Sequence, residues 1–92
     1  MALLSDEQIA TGLEGRDWRR EGETLVHDRR FQDFSAAIAF VERVAEVAEA
    51  SNHHPDILVH GWNKVRLTLS THSEGGITAA DLALAQRIDA LG

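Results

Sequence analysis

Residues 35–59, SAAIAFVERVAEVAEASNHHPDILV, carry the pattern of a long amphipathic helix, its end and the beginning of a strand. Apolar side chains recur there at three- and four-residue steps, which is the period of one face of an α-helix. The stripe consists of Ile38, Val41, Ala45 and Ala48, widened by Phe40, Val44 and Val47, with Glu42, Glu46 and Glu49 opposite. We therefore predict a helix from Ser35 to about Ala50 that buries one side.

The chain changes from helix to sheet around Pro55. We expect the helix to end near Asn52, because the residue before a proline resists the α conformation and Pro55 lies just beyond. A short strand is predicted over residues 57–59, and a longer one over residues 64–71, where apolar and polar side chains alternate. This alternation indicates a sheet with one buried face and one open face.

A further helix and a hairpin are predicted in the first third of the chain. Ser5 and Gln8 have the spacing of a capping box, which predicts a helix over about residues 6–14. Residues 17–31 hold two apolar runs on either side of Glu21-Gly22-Glu23, which predicts a β-hairpin.

The last helix has the same start signal as the first. Thr78 and Asp81 repeat the capping-box spacing ahead of an apolar stripe that ends at Leu91. The complete order is α-β-β-α-β-β-α. It indicates an α+β fold, a four-stranded, mainly antiparallel sheet with helices packed on one face. A length of 92 residues fits a single domain, 1–92.

The composition of the chain excludes several classes of function and partner. The formal charge of -6 is the wrong sign for direct nucleic-acid binding. The absence of cysteine excludes disulfides, thiolate nucleophiles and Cys-ligated zinc. No apolar run is long enough to span a membrane and no basic leader precedes one, so we expect a cytoplasmic protein with no membrane partner. A core this small favours a homo-oligomer.

The unusual local feature is Asn52-His53-His54-Pro55, where a helix ends in two adjacent imidazoles. Histidine gives or takes a proton near neutral pH, although paired histidines can also simply solvate a helix end. His72 is expected on the open face or at the end of the strand predicted over residues 64–71, before two glycines that permit a sharp turn. We expect His53 and His72 to lie on open surface, where substitutions change stability by less than about 0.5 kcal/mol.

A metal site is not expected. Glu49 and His53 could share a helix face, but His53 and His54 would diverge by about 100° in a helix, which hinders chelation of one ion. Asp81 has a sufficient structural role as a helix cap. His27 and His60 lie in strand-like segments with no partner pattern, and we interpret them as incidental.

Taken together, several residues resemble the pattern of the pterin-4a-carbinolamine dehydratase family, also called dimerisation cofactor in animals. They are Glu49, His53-His54-Pro55, Trp62, His72 and Asp81, with Trp62-Asn63-Lys64-Val65 and Thr71-His72 also in the style of the family. The resemblance extends from about Phe31 to the C-terminus.

The resemblance implies a dehydratase, a hydro-lyase that removes water from 4a-hydroxytetrahydrobiopterin, a 4a-hydroxytetrahydropterin, and releases quinonoid dihydropterin. By the same resemblance, His53 and His72 are the proton-transfer pair and His54 binds substrate. Glu49, Trp62 and Asp81 are then pocket or supporting positions. No cofactor is implied, and the expected partners are the pterin and other copies of the chain in a homodimer or homotetramer. The alternative is a non-catalytic module that dimerises a partner or assists its assembly.

Overall fold

Three helices and four strands follow one another in the predicted order. The computed structural model describes residues 2–92. The elements are α1 (Asp6–Leu13), β1 (Arg19–Glu21), β2 (Thr24–Arg30), α2 (Phe34–Ser51), β3 (Asp56–His60), β4 (Lys64–Leu69) and α3 (Ala79–Asp89), with a single 3-10 turn at His72–Glu74. The predicted α+β fold is confirmed.

Side-chain caps set the starts of the helices. Ser5 accepts the backbone N–H of Gln8 and Gln8 accepts that of Ser5, so the capping box of α1 is present. α2 begins at Phe34, one residue before the predicted Ser35, because the Asp33 carboxylate accepts the Ala36 N–H at 2.8 Å.

The end of α2 aims the chain toward the sheet. Asn52 adopts the left-handed conformation with φ of 49°, a common way for a helix to stop. The N–H of the next residue, His53, then bonds back to the Ala48 carbonyl at 3.2 Å. His53 therefore leaves the helix in a fixed direction.

The sheet has the strand order β1-β2-β4-β3, and every neighbouring pair is antiparallel. β4 lies in the middle and places Val65, Leu67 and Leu69 in the core. It ends at Leu69 instead of reaching the predicted Thr71, because the Thr71 carbonyl accepts hydrogen bonds from the following turn.

The core lies between the helices and one face of the sheet. α2 contributes Ala37, Phe40, Val44 and Ala48, and β2, β4 and α3 add Leu25, Leu67, Leu69, Leu84 and Ile88. The predicted stripe is thus rotated: Ala45 is exposed and Ala37 is buried. Apolar residues cover more than one face of this helix, so only tertiary packing decides which of them are buried. Within residues 2–92, no helix is long and apolar enough to cross a membrane.

Candidate functional site

His53 is held by a buried carboxylate. Its Nε2 lies 2.5 Å from Oδ1 of Asp81, and the two side chains are 16% and 0% exposed. The left-handed turn at Asn52 directs His53 toward the start of α3, where Asp81 is located. The expectation that His53 lies on open surface was therefore wrong, because its ring packs over a buried partner.

Asp81 uses its two oxygens for different purposes. Oδ2 accepts the Thr78 backbone N–H at 2.8 Å and the Thr71 hydroxyl at 2.8 Å, which completes the cap of α3. Oδ1 remains for His53. The capping role predicted from sequence is thus confirmed, and the same carboxylate also orients an imidazole.

This pairing sets the tautomer of the His53 ring. An ionised carboxylate can only accept hydrogen bonds, so His53 donates from Nε2. In the neutral ring, Nδ1 then carries the lone pair, and it makes no hydrogen bond to the described residues. Nδ1 is therefore the atom able to take a proton from a bound molecule.

His72 is held by backbone alone. It opens the 3-10 turn after β4, which Gly75 closes in the left-handed conformation with φ of 74°. The Thr71 N–H bonds to the Gly76 carbonyl at 2.8 Å across the base of this loop. The imidazole is exposed and makes no side-chain hydrogen bond within residues 2–92, so it is available to a ligand.

The three histidines line one cleft. It has a volume of about 220 Å³ and is formed by Asn52, His53, His54, Ser70, Thr71, His72 and Ser73. Larger depressions of about 600, 370 and 300 Å³ lie elsewhere on the surface, but none of these three is lined by more than one histidine. The cleft between the end of α2 and the end of β4 is therefore the candidate site.

Glu49 reaches the site through His54. The two side chains form a short contact between Nε2 of His54 and Oε2 of Glu49 on the exposed side of the helix end. Both are exposed, at 55% and 76%. Glu49 therefore orients the outer histidine, as Asp81 orients the inner one, but under much stronger solvent screening.

Trp62 does not join these residues within one chain. It lies in the turn between β3 and β4, with φ of 58°, and 62% of it is exposed. His72 follows the opposite end of β4. At a rise of about 3.3 Å per residue, this strand of 6 residues separates Trp62 from His72 by about 20 Å. The prediction that Trp62 lines the pocket is not supported by the geometry of the single chain.

Sequence reasoning missed several polar residues in the cleft, namely Asn52, Ser70, Thr71 and Ser73. Their only signal is their position beside the histidines, which does not give their orientation. His27 was also interpreted too simply. It is buried, stacks on Trp18 at 4.8 Å between ring centroids, and its Nδ1 lies 2.6 Å from the Asp17 carbonyl. His27 is thus a buried residue of β2 that packs against Trp18.

The arrangement can exchange protons at two points but offers no cluster of metal ligands. Among residues 2–92, no group of three His, Cys, Asp or Glu side chains is placed to hold a metal ion. His53 and His72 border the same cleft from two different elements. Such a pair can remove a proton from one atom of a bound molecule and deliver a proton to another.

Comparison with known proteins gives consistent matches along the whole chain. A family model described as pterin 4 alpha carbinolamine dehydratase matches residues 2–91. A protein of Nocardia farcinica is 53% identical over 90 residues, which cover 97% of this chain and 94% of that relative. Its name, pterin-4-alpha-carbinolamine dehydratase, is itself given provisionally.

Two solved structures share the fold. A crystal structure from Brucella melitensis, described as a transcriptional coactivator/pterin dehydratase, superposes with a TM-score of 0.89 at 32% identity over 97% of each chain. A pterin dehydratase-like protein identified as a RuBisCO assembly factor in the alpha-carboxysome gives a TM-score of 0.68 at 30% identity. That match covers 84% of this chain and 90% of the other.

Proposed function

We propose that this chain, which belongs to the pterin-4-alpha-carbinolamine dehydratase family, removes water from a 4a-hydroxytetrahydropterin such as 4a-hydroxytetrahydrobiopterin. The observation that carries the proposal is the pairing of His53 with buried Asp81, in a cleft that also holds His72. A histidine oriented by a buried carboxylate beside an exposed histidine suits a reaction that moves two protons.

The proposed reaction breaks two bonds and forms two. The N5–H bond loses its proton, the C4a–O bond breaks, and a double bond forms between N5 and C4a. The departing hydroxyl takes up a proton and leaves as water. Oxidation state is unchanged overall, and the pterin ring delocalises the developing charge, so the step requires only proton transfer and positioning.

In this mechanism the two histidines divide the proton transfers. Asp81 occupies Nε2 of His53, so Nδ1 is the nitrogen that remains for a bound molecule, and His53 lines the cleft. His72, held only by its loop, faces the cleft from the end of β4. Each histidine can serve as the acid or the base. After one turnover the base is protonated, as the acid was at the start, and the acid is neutral, as the base was.

His54 and Glu49 form the outer side of the proposed binding site. Their contact is exposed, so its contribution is to hold the His54 ring in one orientation at the cleft. We assign His54 to substrate binding, which predicts that its loss raises KM more than it lowers kcat. Asp81 supports catalysis through His53.

We also propose that β3 forms the interface of a homo-oligomer. β3 is an outer strand, with Ile57 and Leu58 37% and 53% exposed. The other edge, β1, is Arg19-Arg20-Glu21, and such charges discourage pairing with another chain. Two copies of Asp56–His60 pairing antiparallel around Leu58 would set Asp56 of one copy opposite His60 of the other. The strand is thus complementary to itself.

A second candidate function is a binding module that assembles a partner protein. It is favoured by one structural relative, the pterin dehydratase-like protein identified as an assembly factor. The His53–Asp81 pair argues for catalysis, because a scaffold does not require an oriented imidazole with one unused nitrogen in a residue that lines a cleft.

The test of the proposed function is dehydration of a chemically generated 4a-hydroxytetrahydropterin, followed by absorbance with and without the protein. We expect acceleration over buffer that persists after exhaustive treatment with EDTA, because the proposed steps use only side-chain protons. Activity lost on chelation and restored by zinc would contradict this mechanism. A rate equal to that in buffer would favour the scaffold.

A further inference from the structure

Thr71 lies at the point where the supports of the two histidines meet. Its hydroxyl is 2.8 Å from Oδ2 of Asp81 and 2.8 Å from the Thr78 hydroxyl. Asp81 in turn holds His53 through its other oxygen. Thr71 is also the residue immediately before His72. It thus contacts the support of one histidine and adjoins the other in the chain.

The hydrogen bonds around this hydroxyl run in one direction. Ionised Asp81 only accepts, so the Thr71 O–H points to Oδ2. The Thr78 hydroxyl must then donate to Thr71, while its oxygen accepts the Ala80 N–H at 3.2 Å. Each hydroxyl has a single proton and each proton has one acceptor. The network therefore has one consistent arrangement, and it fixes the Asp81 carboxylate against rotation.

The backbone of Thr71 holds the loop of His72. Its carbonyl accepts the N–H groups of Glu74 and Gly75, both at 3.0 Å. Its own N–H bonds to the Gly76 carbonyl at 2.8 Å. The loop that carries His72 is thus anchored at the same residue whose side chain fixes Asp81.

We propose that Thr71 is a positioning residue that sets the two proton-transfer histidines relative to each other. Its hydroxyl acts on His53 through Asp81, and its backbone acts on His72 through the loop. This inference rests on the proposed function for its kinetic consequence, but the effect on the His53 ring is independent of any activity.

Removing the Thr71 hydroxyl separates its effect on His53 from the effect of the Thr71 backbone on His72. Thr71→Val keeps the size and β-branching of the side chain and leaves the loop hydrogen bonds intact, because those are made by the backbone. Asp81 then keeps only the Thr78 N–H on Oδ2 and can rotate. We expect the hydrogen bond from Nε2 of His53 to Oδ1 of Asp81 to weaken, which shifts the ¹⁵N signals of the His53 ring, while the His72 signals remain unchanged.

The experiment combines two-bond ¹⁵N–¹H NMR of the histidine rings with steady-state kinetics on the full chain. In Thr71→Val we expect shifted ¹⁵N signals of the His53 ring and kcat lowered about tenfold, with KM changed less than about twofold. Thr71→Ser retains the hydroxyl and should restore both readings. Thr68→Val is the matched control, since it makes the same substitution on β4 at a residue with no side-chain hydrogen bond within residues 2–92.

Several outcomes decide the proposal. Wild-type ¹⁵N signals of the His53 ring in Thr71→Val would overturn it, even if kcat or the melting temperature falls, because the hydroxyl would then support folding only. Thr71→Ala removes the same hydroxyl and takes the place of Thr71→Val if the valine variant does not fold. If the wild-type protein shows no dehydration, the proposed function fails, but a change in the His53 ring signals that serine reverses still supports Thr71 as the residue that positions His53.

Discussion

At the scale of single residues, His53 and His72 differ in what their loss leaves behind. His53 is bonded to a fully buried carboxylate, whereas His72 is exposed and makes no side-chain hydrogen bond within residues 2–92. Truncating His53 leaves one oxygen of Asp81 without its hydrogen bond. Truncating His72 exposes nothing that was buried.

This difference predicts unequal effects on stability. His53→Ala should lower the free energy of unfolding by about 1–2 kcal/mol, because it removes the partner of a buried acceptor. His72→Ala should change it by less than about 0.5 kcal/mol. Thermal unfolding measures both, and for a domain of this size 1 kcal/mol corresponds to about 4–8 °C in Tm. Equal melting temperatures for the two variants would show that the His53–Asp81 contact contributes little.

The sequence predicted some of these residues better than others. His53, His54 and His72 do line one cleft, and the helix cap formed by Asp81 was readable from its spacing to Thr78. The hydrogen bond from His53 to Asp81 could not be predicted from the sequence, because it depends on how the end of α2 meets the start of α3. Trp62 lies at the other end of β4 from His72 within one chain, and its place in a pocket stays a prediction.

At the scale of elements, salt bridges between side chains link neighbouring strands on the open face of the sheet. Asp28 on β2 accepts hydrogen bonds from Arg66 on β4 at 2.8 Å and from Arg19 on β1 at 2.9 Å. The Arg66 guanidinium, aided by Arg19, lowers the pKa of Asp28 from 3.8 to about 2. One carboxylate thus links three strands.

The lowered pKa predicts a stability contribution that disappears in acid. The folded state binds the Asp28 proton less readily than the unfolded state, so the stabilisation is complete above the unfolded pKa and fades as the pH falls through about 2. Since 40% of the side chain is exposed, it should amount to less than about 1 kcal/mol.

Urea unfolding of wild type and Asp28→Asn measures this contribution. Their difference should shrink between about pH 5 and pH 2. Glu46→Gln, on the exposed face of α2, has no ion pair within residues 2–92 and provides the control. A difference that stays constant across this range would show that Asp28 does not act through its charge.

The edge strand β3 carries the prediction for assembly. Leu58→Lys should dissociate the oligomer, because two lysines would then face each other at the centre of the pairing. Phe34→Lys is the matched control, since Phe34 is equally exposed, at 54% against 53%, but lies at the start of α2. Light scattering at micromolar concentration gives the mass. Dissociation by Phe34→Lys and not by Leu58→Lys would place the interface on the helix instead, and a monomeric wild type would refute the oligomer.

At the scale of the whole molecule, most of the fold could be predicted from local signals. Capping boxes marked α1 and α3, and alternation marked β4, because these depend on neighbours in sequence. The strand order β1-β2-β4-β3 and the rotation of the buried stripe of α2 depend on contacts between distant segments. No single-residue pattern encodes those contacts, so the sequence did not reveal them.

The whole molecule joins its two proton-transfer candidates through elements far apart in the chain. The end of α2 supplies His53, the loop after β4 supplies His72, and the start of α3 supplies the carboxylate that holds His53. If the histidines act as a pair on one substrate, the loss of either should cost nearly as much as the loss of both.

The dehydration rate of His53→Ala, His72→Ala and the double variant tests this claim most directly. Each single variant should turn over a 4a-hydroxytetrahydropterin roughly 10² to 10⁴-fold more slowly than wild type, which is the usual share of general acid–base catalysis. The double variant should be only slightly slower than either single variant. Wild-type turnover in His72→Ala, or single losses that simply multiply in the double variant, would contradict a mechanism in which the two histidines act together.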